Sequence, residues 1–104
     1  MRTRYWVACI VTVPLSISAA LAQNAAALNA RSLAATCANC HGTDGRIQGG
    51  AVPGLAGRDR DLIASQLREF RDGKRPSTVM QQLAKGFTEQ QIDTLAAYFA
   101  ALKN

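Results

Sequence analysis

Cys37 and Cys40, with His41 directly after the second, form the run Cys37-Ala38-Asn39-Cys40-His41. Two thiols about one helical turn apart can each add to one of two neighbouring vinyl groups on a porphyrin. The histidine that follows is held where a ring nitrogen can reach the iron, so C-x-x-C-H reads as the attachment site of a c-type haem. Three other chemistries use the same residue types. A thioredoxin-like redox pair lies between a strand and a helix, and nothing before Cys37 alternates like a strand. A zinc shell needs four ligands, and beyond residue 22 the chain offers neither a further cysteine nor a second histidine. A plain disulfide stays open as the simplest fate of an exported pair. The adjacent His41 and the helical surroundings favour haem.

The second axial ligand follows by elimination. His41 is the only histidine, so two histidines from one chain cannot share the iron. Met80 is the one methionine besides Met1. A lone methionine is most often core filler, but in a chain that must cap a haem it becomes the expected ligand. Lys74 and Lys85 are weaker candidates, and an open iron is the remaining alternative.

The elements that position these residues must come from a short chain. At 104 residues and 11.1 kDa there is room for one domain, and a doubly wound nucleotide-binding fold or a (β/α)8 barrel is excluded. A hydrophobic fraction of 48% against 18% charged is that of a folded protein, which sets disorder aside.

The first residues read as a leader. Arg2 and Arg4 precede an apolar run from Tyr5 to Ile17 interrupted by Thr12, Pro14 and Ser16, and Ala20-Leu21-Ala22 supplies small residues before Gln23. The stretch is about long enough to span a bilayer at roughly 20 residues, yet Pro14, the serines and the small-residue exit favour a signal peptide over residues 1–22 with a domain over 23–104. Cys9 lies inside the apolar run, too early for lipid attachment. Without the leader 82 residues remain, with ten cations against seven acids. The cations are dispersed among acids, so a nucleic-acid partner is not expected. No membrane span is expected after cleavage, and the location expected is the periplasm.

Helical patterning covers the rest, and the expected fold is all-α. Ala25 to Cys37 carries Leu28, Ala30, Leu33, Ala34 and Cys37 at helical spacing. His41 to Gly57 holds six glycines and Pro53 and reads as loop. A second helix capped near Asp59 presents Leu62, Ile63, Leu67 and Phe70 and stops at Gly73. A short helix is expected over Thr78 to Lys85, opened by Pro76 and Ser77 and closed by Gly86. Thr88 and Gln91 form a capping box for a last helix to about Leu102, with Ile92, Leu95, Ala96, Phe99 and Leu102 as its apolar stripe. Four short helices in so few residues bury little against one another, and a covalent haem would supply both staple and core.

As an ordered set, C-A-N-C-H, V-P-G-L-A-G at Val52 to Gly57, S-T-V-M at Ser77 to Met80 and L-A-A-Y-F at Leu95 to Phe99 resemble the class I cytochrome c family over essentially the whole mature chain. The resemblance implies about four helices around one covalent haem c, with the first and last helices crossing near Tyr98 or Phe99. It implies that the Pro53 carbonyl accepts a hydrogen bond from Nδ1 of His41, that Leu55 packs on the haem, and that His41 and Met80 bind the metal. Ser77 to Thr88 is similar to the cytochrome subunit of flavocytochrome c sulfide dehydrogenases, and the middle of the chain is similar to the halves of dihaem relatives, although one C-x-x-C-H allows one haem. A single-electron carrier or electron-accepting subunit is therefore expected, without a substrate site of its own. Its partner would be a redox protein, a sulfide-oxidising flavoprotein subunit. The alternatives are a free carrier for another respiratory chain and a haem enzyme or sensor with an open iron.

Overall fold

The computed structural model describes residues 16–103. Arg2, Arg4, Cys9 and most of the apolar run of the expected leader lie outside the described residues. Five α-helices follow one another: α1 Ser16–Ala35, α2 Ala38–His41, α3 Arg60–Arg71, α4 Met80–Ala84 and α5 Glu89–Ala101, with a 3-10 turn at Thr43–Gly45. There is no strand among the described residues, and none of these helices is long and apolar enough to cross a membrane.

The expected first helix is divided in two. It does not run into Cys37, because the Thr36 hydroxyl and the Thr36 N–H both bond the Leu33 carbonyl and Cys37 N–H bonds Ala34. These three-residue closures end α1, and the Cys37 carbonyl then starts α2 by accepting from His41 N–H at 2.9 Å. Helix α1 also begins earlier than its apolar pattern suggested, passing continuously through the expected cleavage position after Ala22.

The later helices are bounded by local chemistry. Asp59 caps α3 by accepting from Leu62 N–H at 2.9 Å. Gly73, at φ +70°, closes α3 in a Schellman arrangement, with Gly73 N–H on Phe70 and Lys74 N–H on Glu69. Helix α4 is shorter than expected, starting at Met80, where Ser77 Oγ accepts from Gln81 N–H at 2.9 Å. Both halves of the Thr88–Gln91 capping box form at the start of α5.

Helix α5 is the spine, packed by α1 on one side and α3 on another, while α4 packs on α3. The core joins Ala34, Ile63, Ala64, Ile92, Leu95, Ala96 and Phe99, and the small alanines let the helices approach closely. Tyr98 and Phe99 meet edge to face at 5.3 Å between centroids. Leu62, expected on the buried stripe of α3, is corrected. Leu62 is 43% exposed, because α3 turns Ile63 and Ala64 toward α5 and carries Leu62 round to solvent. Leu28 is 68% exposed, because α1 packs only through its last turns, by Leu33 and Ala34. On the outside, Arg68 spans Glu89 at 2.9 Å and Asp93 at 2.7 Å, and Arg71 also reaches Glu89, tying α3 to the first turn of α5.

Candidate functional site

A cavity of about 740 Å³ opens between α2, the loop before α3, the inner face of α3, α4 and α5. Cys37, Cys40, His41, Pro53, Leu55 and Met80 all line it, so the six residues singled out in the sequence converge on one space. Lys74 and Lys85 do not line it; Lys74 faces Asp72 at 3.9 Å.

One wall is built by α2. One turn of helix sets Cys37 and Cys40 at the cavity wall, Cys37 half-buried and Cys40 exposed, both as free thiols. Burial raises the Cys37 thiol above its ordinary 9.0; the Thr36 hydroxyl lowers it less, and Cys40 adds to the rise. His41 is buried, and its Nδ1 lies 2.7 Å from the Pro53 carbonyl oxygen. A carbonyl only accepts, so the proton is on Nδ1. No buried side-chain nitrogen or oxygen among the described residues lacks a partner, and Nε2 has none. Nε2 is therefore not sealed in the protein but open to the cavity that His41 lines.

The opposite lining comes from elements the patterning assigned to packing. Leu67 and Phe70, expected as core of α3, wall the cavity with Phe87, Leu95 and Phe99, and Leu67 packs against the core as well. Met80 stands in the first turn of α4, half-buried. Arg58 and Arg75 also stand on the lining, and no acid is among the residues there. Arg75 is held by Glu69 at 3.2 Å and lies 5.4 Å from the centre of the Phe70 ring. Sequence reasoning missed both arginines. The only available signal was that each sits at the edge of a glycine-bounded turn.

These residues fit a c-type haem. The cavity has the size of a cofactor site; its walls are apolar, two thiols stand together at its edge, and an oriented imidazole and a thioether both reach into it. The sequence profile of the family described as cytochrome c oxidase, cbb3-type, subunit III matches residues 23–99. The chain belongs to the cytochrome c family, whose members carry covalent haem c and transfer electrons. Among its relatives, it is 41% identical over 70 residues to the cytochrome subunit of sulfide dehydrogenase from Chlorobaculum tepidum, covering 67% of this chain and 63% of that protein. It is 33% identical over 69 residues to cytochrome c-554(548) of Halomonas halodenitrificans, covering 64% of this chain and 83% of that one. A solved structure of Acidithiobacillus ferrooxidans cytochrome c4 superposes with a TM-score of 0.68 at 34% identity, over 75% of this chain and 51% of that chain. The class I cytochrome c fold expected from the motifs is the fold observed.

Proposed function

We propose that this cytochrome is an exported, periplasmic single-electron carrier with one haem. Residues 1–22 are its leader and residues 23–104 its working domain. Cys37 and Cys40 would hold the haem through their sulfurs, and His41 and Met80 would bind its iron. The observation that carries the reading is the convergence of both thiols, the oriented His41 and Met80 on one apolar cavity. When bound, the haem supplies reversible one-electron chemistry between Fe(III) and Fe(II).

The chain's own residues set the conditions for that chemistry. Pro53 O, accepting from Nδ1 of His41, fixes the plane of the ring and makes Nε2 a stronger donor. Met80 offers a soft, neutral sulfur, which favours Fe(II). Leu67, Phe70, Phe87, Leu95 and Phe99 exclude water, which also disfavours the more highly charged oxidised state. With both His41 and Met80 on the iron, no position on it would be left for a substrate. Electrons pass at the rim, where Cys40 is exposed together with Val52, Val79 and Leu83.

The partner proposed is a sulfide-oxidising flavoprotein, to which this chain serves as electron-accepting subunit. Its support is the likeness to the sulfide dehydrogenase subunit. The test is purification of the exported protein from a host with haem-attachment machinery. The reading expects a mass exceeding the mature polypeptide by one haem, low-spin visible spectra that Met80→Ala alters, and a flavin-bearing protein in the same fractions. A mass equal to the polypeptide with no Soret band refutes it. A haem protein that purifies free refutes only the permanent partner.

A further inference from the structure

We infer that Tyr98 and Asp44 are positioning residues for His41, acting through the loop that carries the Pro53 carbonyl. The inference rests on the reading of His41 as an iron ligand. Asp44 is the one non-glycine residue with positive φ among the described residues, at +54° in the 3-10 turn that follows His41. Aspartate tolerates that conformation better than most side chains but still at a cost, so contacts that hold it there have something to fix. Tyr98, 54 positions away on α5, donates its hydroxyl proton to Asp44 Oδ1 at 2.8 Å. Arg46 Nη1 stands 3.6 Å from Asp44 Oδ2, and Arg46 Nη2 donates to the Lys103 carbonyl at 2.8 Å.

The pinned turn is wired to the histidine. Gly45, next to Asp44, presents a carbonyl that accepts both Leu55 N–H at 2.8 Å and Ala56 N–H at 3.2 Å. Those two amides sit two and three residues beyond Pro53, whose carbonyl holds Nδ1 of His41 at 2.7 Å. The sequence of contacts is thus Tyr98 hydroxyl, Asp44 carboxylate, Gly45 carbonyl, the amides of Leu55 and Ala56, Pro53 carbonyl, His41 ring. A second bond, Gly57 N–H to the Phe99 carbonyl at 2.8 Å, fastens the far end of the same loop to α5. The last helix thereby sets how firmly the proton on Nδ1 is held. A firmer bond gives the imidazole more anionic character, which favours Fe(III) and lowers the potential.

The experiment uses the haem-loaded protein and reads His41 directly, by exchange of its Nδ1–H with solvent in the reduced state followed by NMR, together with the reduction potential. Tyr98→Phe and Asp44→Gly each remove the pin, and glycine keeps the left-handed backbone of residue 44 free of strain. Both are expected to speed Nδ1–H exchange about tenfold or more and to raise the potential. Asp44→Asn keeps an acceptor for Tyr98 and is expected to stay near wild type. Glu89→Gln, which loosens the remote ion pairs between α3 and α5, is expected to move neither readout even where it lowers thermal stability. Wild-type exchange and potential in Tyr98→Phe, with its haem spectrum intact, overturns the inference alone. A wild-type protein without a ligated His41 overturns the inference together with the reading beneath it.

Discussion

Replacing Gly45 by alanine separates backbone strain from crowding in the 3-10 turn that follows α2. Gly45 is buried at φ +71°, and a Cβ there would stand 2.8 Å from Leu55 Cβ, 3.0 Å from Ala56 N and 3.0 Å from Phe99 Cδ1. Two of those atoms are backbone or the first carbon of a side chain and cannot swing away. The left-handed backbone costs alanine about 1–2 kcal/mol, and overpacking a filled site adds about 1–3 kcal/mol, so Gly45→Ala is expected to lose about 2–5 kcal/mol in all. Gly49 has a similar φ of +77° but nothing within 4 Å of the added carbon, so Gly49→Ala is expected to lose only the backbone part, about 1–2 kcal/mol. Urea unfolding of the two haem-loaded variants, compared at equal slopes, gives the difference directly. Because Leu55 and Phe99 also wall the haem cavity, the Gly45 variant is further expected to show a shifted Soret band. If the two variants unfold within about 0.5 kcal/mol of each other, the crowding predicted at the 1–3 kcal/mol level is absent and the reasoning fails.

Three further outcomes are expected. Thr88→Ala removes the hydroxyl that accepts from Gln91 N–H while leaving the residue 88 N–H to the Gln91 side chain, lowering stability by about 1 kcal/mol; Thr88→Ser restores it in the same thermal melts. Hydrogen bonds from Arg68, then Arg71, hold the Glu89 carboxyl below its ordinary 4.5. A depressed folded value means that this contribution is present above the ordinary value and is lost as pH falls through the folded one, so the wild type is expected to lose stability more steeply than Glu89→Gln below about pH 4.5. Burial, then the bond to Asp44, raises the Tyr98 hydroxyl above 10.0. Its contribution is present below that value and is lost as pH climbs through the raised one, so Tyr98→Phe is expected to flatten the alkaline arm of the stability profile.

Local chemistry was legible along the chain because each piece depends on neighbours within a few positions. The C-x-x-C-H spacing of Cys37, Cys40 and His41 is one such short-range pattern. The caps at Asp59 and Thr88 and the stop at Gly73 follow from bonds three to five residues long. Periodicity also found the buried stripe of α5, since Ile92, Leu95, Ala96 and Phe99 all face inward. It could not tell a helix face that packs on another helix from one that walls a cavity. Leu67 and Phe70 carry the same signal in either role, and only the placement of α3 over the haem site assigns them. Nor could it find that Leu62 and Leu28 look outward, which depends on where α3 and α1 end relative to their partners. The contacts through Tyr98, Asp44 and Arg46 join residues more than fifty positions apart. Side-chain identity specifies bonds that close within a turn or two, whereas which distant surfaces meet is settled only when the helices pack, because burial energy depends on the shape of the whole assembly and not on any one segment.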